Sequence, residues 1–301
     1  MPEGPHPIMT PEYRIAALWI GGPLSFLEQL CLVSFAHAGQ HVTLYSYEPV
    51  QNVPSGIELA DANQILPQQG YLKHAKTGSP ALHSDVFRYH LLAKCDRTIW
   101  ADTDAYCVKP FTTPNGHFYG WESKKHINGG VLGLPRDSET LRLLLEHTSD
   151  AWSIPSWYGP EYEADLREKL AAGIPVSAAD QPWGVWGPHA ITHFLHRTGE
   201  ARFALPRVAL YPVAFKDRRL ILRPAWDASE MITGETLSIH FYGRRMRRRI
   251  VSHEPGGIPR PRSLFGQLLK KHGIDPRAAP IPLKPGDPGY GADDDGDEDA
   301  A

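Results

Sequence analysis

Apolar residues fall along the chain in two alternating rhythms. Ile15-Ala16-Ala17-Leu18-Trp19-Ile20 is a continuous apolar run of strand length, stopped by Gly21-Gly22-Pro23. Leu24, Leu27, Leu30, Cys31 and Phe35 then recur at helical spacing up to Gly39, and Val42-Thr43-Leu44-Tyr45 returns to strand character. A strand, a helix and a strand in that order open an α/β sheet. The handedness of such units makes the two strands parallel, with the helix on one face. Residues 48–80 read as a Pro/Gly/Gln-rich connection. Helical spacing resumes over 82–95, and Arg97–Ala101 predicts a strand running straight into Asp102-Thr103-Asp104. Further on, the pattern predicts a short apolar strand at 130–134, helices over 137–150, 161–172 and 188–198, and a late strand over 237–242. A basic run, Arg244–Arg249, follows that strand directly, and 263–271 reads as a short basic amphipathic helix. The expected organisation is a Pro-rich leader (1–12), an α/β domain (13–250), a basic linker with a short helix (251–280) and a disordered acidic tail (281–301).

Composition narrows the class. With 301 residues, 42% hydrophobic and 22% charged, the chain is ordinary globular protein, which excludes wholesale disorder. The net charge of −3 hides two opposite regions, since residues 293–299 alone hold six acids. Through residue 286, 31 Lys+Arg face 27 Asp+Glu, a net of +4. That balance suits an anionic ligand and falls short of a nucleic-acid binder. Cys31, Cys95 and Cys107 are odd in number and lack CxxC spacing, so neither a disulfide framework nor a zinc site is expected, and a reducing compartment is. The first residues lack a signal-peptide pattern, and no apolar stretch reaches membrane-spanning length. The sequence reads as cytoplasmic, with peripheral contact at the inner face of the plasma membrane as a further expectation.

The chemistry centres on Ile99–Asp104, an apolar run that delivers two carboxylates two positions apart at the end of a strand. Ligands of open α/β sheets bind outside the carboxyl ends of strands, and two hard oxygen donors there suit Mg²⁺ or Mn²⁺. A solvated turn is the bland alternative. One helix upstream, Asp85 and Arg88 share a face at i,i+3 spacing. They read either as a surface ion pair or as an acceptor for sugar hydroxyls beside a cationic partner.

The stretch HSDVFRYHLLAKCDRTIWADTDAYCVKPF (83–111) resembles the sugar-binding region with a DxD motif of bacterial glycosyltransferases of family 32. That family is similar to capsular and α-galactosyl or α-GlcNAc transferases. The likeness continues in order through LWIGGPLS (18–25), INGGVLGLP (127–135), WGVWGPHAITHF (183–194) and SIHFYGRRMRR (238–248). It implies a GT-A glycosyltransferase domain: a Rossmann-like mixed sheet flanked by helices that binds a UDP-sugar and Mn²⁺ or Mg²⁺. Residue by residue, it implies that Asp104 ligates the cation, that Asp102 contacts the donor ribose or a metal-bound water, and that Asp85 and Arg88 grip the transferred sugar. Trp19 would stack on uracil and Trp100 would support the nucleotide. Asn128 would reach the sugar, and His240 would sit at the diphosphate as a metal ligand or donor, with Tyr242 and Arg244 beside it. Family members often read I-H-L-W-N where this chain has Ile239-His240-Phe241-Tyr242-Gly243, and INGG departs from Asn-(Ser/Asn)-Ala. The implied reaction is hexose transfer with retention to a glycan or glycolipid hydroxyl, in cell-surface polysaccharide synthesis. No carboxylate stands out as a covalent nucleophile, which favours same-face attack by the acceptor.

Other residues carry two readings each. Trp183 and Trp186 suit either an acceptor platform or the core. Asp180-Gln181 is a polar site element or a plain loop, and His193/His196 form an ordinary helix face. The cations of Arg244–Arg249 would meet diphosphate, anionic lipid or the acidic tail, with diphosphate favoured for the first one or two by their position after His240; the rest, with Lys270-Lys271, read as an anionic-membrane contact or a solvated basic face. Two rival functions also fit a two-carboxylate turn. One is a phosphohydrolase with Asp102 as nucleophile, and the other is a non-catalytic sugar-nucleotide or glycan-binding protein.

Overall fold

The structure, a computed structural model, describes residues 13–282. The expected leader and nearly all of the acidic tail lie outside them. The elements run β1 (Arg14–Trp19), α1 (Phe26–His37), β2 (Val42–Ser46), β3 (Ile57–Asp61), α2 (Ala81–Lys94), β4 (Thr98–Ala101), β5 (Ala105–Cys107), β6 (Phe118–Trp121) and β7 (Ile127–Gly133). They continue through α3 (Glu139–Thr148), α4 (Pro160–Ala171), α5 (Pro188–Thr198), α6 (Arg207–Leu210), β8 (Ser238–His240), α7 (Gly243–His253) and α8 (Leu264–His272).

Six strands form one mixed sheet in the order β3-β2-β1-β4-β7-β6. β3, β2, β1 and β4 are parallel, with Ile15 opposite both Val42 and Ile99, whereas β7 runs antiparallel to β4. The fold is therefore α/β, with a Rossmann-like parallel half flanked by helices. β1 and β4 are apolar without alternation because both sheet faces are covered. On one face Ala16, Leu18 and Trp100 pack with Phe87, Leu92, Leu141 and Ile191; on the other Ile15, Ala17, Ile99 and Ala101 pack with Leu32, Phe35 and Tyr211. Chain order reverses between β1 and β4, so a crevice opens at their carboxyl ends, marked by Trp19 and Asp102.

Several elements depart from expectation. The 48–80 connection contains β3, a five-residue edge strand with Glu58, Leu59 and Asp61 exposed, too short and too polar at Glu58 and Asp61 to stand out in that connection. The late strand is only three residues long and pairs outside the main sheet, antiparallel to β5, with Ala105 opposite His240. The basic run is the body of α7, which turns Met246 and Ile250 into the core. Beyond residue 250, Phe265 and Leu269 of α8 bury against Phe26, Leu27 and Leu30 of α1. Among the described residues no helix is long and apolar enough to cross a membrane.

Candidate functional site

The turn after β4 is built by backbone. Asp102 donates its N–H to the Gly130 carbonyl at 2.7 Å, and its own carbonyl accepts from Ala105 at 2.9 Å. The Asp104 carbonyl accepts from the Phe241 N–H at 2.9 Å. Strands β7 and β8 thus meet the Asp102–Asp104 turn directly, and five predicted residues, Asp102, Asp104, Asn128, His240 and Tyr242, come together there.

Asp102 is anchored on one side. Its Oδ1 accepts from Trp100 Nε1 at 2.7 Å and lies 3.5 Å from the Arg88 guanidinium. Arg88 is itself buried, 3.2 Å from Asp85 Oδ1, and donates to the Gly129 carbonyl at 2.5 Å. Its guanidinium also lies 5.0 Å from the Trp100 ring centroid. The donors of Arg88 and Trp100 thus point at protein groups. Burial pushes Asp85 up to about 6, with Asp102 adding to the rise and Arg88 opposing it. Burial also raises Asp102, helped by Asp104 and opposed by Arg88 and His240. Burial works against the charge on Arg88, yet Asp102 and Asp85 together hold its pKa above the ordinary value.

Glycines make the room. A Cβ on Gly130 would sit 3.1 Å from His240 Cε1 and 3.2 Å from both Asn128 Oδ1 and Asp102 Oδ2, so these groups surround one small space that the missing side chain leaves open. A Cβ on Gly187, the N-cap of α5, would lie within 3.2 Å of both Asp85 oxygens. Asn128 braces the start of β7: its Oδ1 accepts from Gly130 N–H and its amide donates to Glu122, each at 2.7 Å.

Asp104 and His240 form the other side. Asp104 Oδ2 accepts from the Gly243 N–H at 2.6 Å, at the start of α7. Its Oδ1 faces His240 Nδ1 at 3.5 Å, and both of those atoms are buried without a hydrogen-bond partner. Native proteins rarely leave such atoms unpaired, so the pair invites a ligand. A divalent cation fits. Among the described residues no three His, Cys, Asp or Glu side chains form a group that could hold an ion, so a cage made of protein alone is excluded. Mg²⁺-type sites need no cage, because one or two protein ligands plus substrate phosphates suffice. Tyr242 takes a left-handed backbone (φ 54°), donates to the Val213 carbonyl at 3.1 Å and sets its ring edge-on to His240 at 4.8 Å.

The remaining predicted residues scatter. Trp19 is half-buried and donates to the Gly22 carbonyl at 2.9 Å. Arg244 is exposed in the first turn of α7. Trp186 is buried, whereas Trp183 is 47% exposed and edge-on to His74. Asp180 is exposed and Gln181 buried. His193 and His196 make separate contacts, with Trp157 and Trp121 respectively. Two surface concavities, about 320 Å³ beside Arg142 and His147 and about 380 Å³ along Pro259 and Leu269, are lined by none of the converging residues.

Sequence reasoning missed Glu28 and its pairing with Arg247, which it read only as one cation of the basic run. Glu28 is buried, and its Oε1 accepts from Arg247 Nε at 2.7 Å, across 219 residues of chain. The Arg247 guanidinium stands 5.6 Å from the Trp19 ring centroid. Ser25-x-x-Glu28 is a capping-box pattern, which is the one local signal that marked Glu28.

Models of known protein families do not match the chain, and a search of curated proteins gives no match. Among solved structures the chain is similar to one described as "PaToxG Glycosyltransferase", at 14% identity and a TM-score of 0.39, over 62% of this chain and 70% of that one. So distant a likeness leaves the function to be argued from the residues above.

Proposed function

We propose that the chain is a metal-dependent retaining glycosyltransferase of the GT-A type. It would move a hexose from a UDP-sugar to a hydroxyl of a glycan or glycolipid acceptor, in the synthesis of cell-surface polysaccharide. The observation that carries this reading is the unpartnered Asp104–His240 pair at the carboxyl end of β4, beside the buried Asp85–Arg88 pair. Phosphohydrolase chemistry at Asp102 gives the Asp85–Arg88 pair no role.

Asp104 and His240 would hold Mn²⁺ or Mg²⁺, which when bound supplies a Lewis acid for the departing diphosphate. The protein's own groups do the positioning. Asp102 has Oδ1 committed to Trp100 and Arg88, so Oδ2 is the oxygen that accepts from a donor ribose hydroxyl. Asp85, fixed by Arg88 against Gly187, offers its other oxygen to a hydroxyl of the transferred sugar. Trp19 provides a ring face for uracil.

In the reaction the bond from C1 to the diphosphate oxygen breaks, and its electron pair stays on UDP. The acceptor oxygen bonds to C1 on the same face, and its proton passes to the leaving phosphate oxygen. One Asp85 oxygen is held by Arg88 and Asp180 lies exposed, which supports same-face attack over a covalent intermediate on either residue. A glycosyl adduct on either residue, detected by mass spectrometry, overturns same-face attack.

The test is Mn²⁺-dependent hydrolysis across a panel of UDP-sugars, with thermal stabilisation by the same ligands. A transferase hydrolyses one donor slowly and loses that activity in Asp104→Asn. A preference for phosphomonoesters, or binding without turnover, refutes the proposal.

A further inference from the structure

We infer that Glu28 is a positioning residue that presents the Arg247 guanidinium to the diphosphate of the nucleotide; this rests on the donor reading above. Each Glu28 oxygen has a separate task. Oε2 accepts from the Ser25 N–H at 2.8 Å and the Ser25 hydroxyl at 2.5 Å, closing the N-terminus of α1, while Oε1 accepts from Arg247 Nε at 2.7 Å. The carboxylate is 1% exposed, so without Arg247 it would be a buried, uncompensated charge.

The arrangement also aims the guanidinium. Glu28 takes only Nε, and a guanidinium carries four further N–H donors in a planar fork suited to phosphate. One terminal amine lies 3.3 Å from the place a Cβ would occupy on Gly243, and Asp104 Oδ2 lies 3.0 Å from that same place. Trp19 flanks the guanidinium on another side. The cation therefore stands between the residue assigned to uracil and the residue assigned to the metal, where a diphosphate joining the two must pass. In the basic run it is Arg247 that reaches a buried carboxylate in this crevice, whereas Arg244 is exposed.

The experiment measures binding of UDP and of uridine by calorimetry, with MnCl₂ present, for the wild-type chain, Arg247→Gln, Arg247→Lys, Glu28→Gln and the Glu28→Gln/Arg247→Gln pair. Arg247→Gln should weaken UDP about tenfold or more and leave uridine unchanged, since only UDP offers the charge-assisted contacts. Arg247→Lys should fall between, because a lysine keeps the charge and loses the fork. Glu28→Gln should weaken UDP in the same sense, and should add nothing in the Arg247→Gln background. A pair that only fastens α7 to α1 gives lower melting temperatures with UDP affinity unchanged, or equal losses for UDP and uridine, and either result overturns the inference. If Glu28→Gln does not fold, the Arg247 variants decide alone. A wild-type chain that binds neither UDP nor uridine overturns the donor reading as well. UDP binding that is indifferent to all the variants overturns only this inference.

Discussion

Asp104 Oδ1 and His240 Nδ1 face one another across 3.5 Å, both buried and neither hydrogen-bonded. Near-isosteric replacement, Asp104→Asn or His240→Gln, should remove metal dependence, because the two facing atoms bond no protein group, and in Asp104→Asn the amide oxygen can keep the Gly243 contact. In Asp104→Asn we expect the Mn²⁺-plus-UDP increase in melting temperature to vanish, and donor turnover to fall about 10²-fold or more, as for loss of a preorganised charge stabiliser. Chelation of wild-type protein with EDTA should reproduce the loss, and added MnCl₂ should reverse it.

Gly130→Ala tests the space at the centre of the site. Its Cβ would press on His240, Asn128 and Asp102 at 3.1–3.2 Å, tighter than ordinary contact but within reach of small adjustments. We expect a stability loss of about 1–3 kcal/mol, as for a buried overpacking change, measured by urea unfolding. Turnover should fall by more than that loss implies, because the methyl displaces groups whose placement matters to a few tenths of an ångström. Activity equal to wild type would show that this space takes no part.

Asp85 makes stability fall as pH rises. Burial pushes its pKa up to about 6 in the folded chain, against about 3.9 when unfolded, so the folded state holds the proton more firmly. Its contribution is complete below about pH 4 and is lost as pH rises through about 6, a change on the order of 2–3 kcal/mol. The melting temperature of Asp85→Asn minus that of wild type should therefore climb between pH 4 and 6.5. Donor turnover in this variant should be strongly reduced.

Two histidines act in the opposite direction. Burial lowers His147 to about 4, with His193 adding to the effect, and lowers His189 to about 4, with His126 adding. Both are held neutral in the folded protein, so the stability they contribute is present above about pH 6.5 and is lost as pH falls toward 4. His189→Gln should flatten that acid limb in thermal unfolding across pH 4–7.

What was legible in the sequence was what is local. β1, α1, β2 and β4 announce themselves because each is buried on a contiguous stretch, and α5 spans 188–198 as its apolar spacing says. Asp102 and Asp104 were visible because the motif and the strand that delivers it adjoin. β3 was not, since an edge strand needs little apolar surface. α7 was hidden because its arginines mask Met246 and Ile250, the two positions that seat it. The role of Trp100 needed coordinates: an aromatic before an Asp-x-Asp says nothing about whether its indole N–H faces a nucleotide or the carboxylate two residues on. The Glu28–Arg247 contact, spanning most of the chain, has no local trace beyond the cap at Ser25.

The short β5–β8 ladder has a consequence for biogenesis. It brings Ala105 and His240 into register although they lie 135 positions apart in sequence, so Asp104 meets its imidazole neighbour only after the chain has been synthesised past β8. A nascent polypeptide can complete the six-stranded sheet while still on the ribosome and yet have one member of the Asp104–His240 pair untranslated. The Asp104–His240 contact is therefore acquired late in translation, after the sheet whose β4 end delivers Asp104.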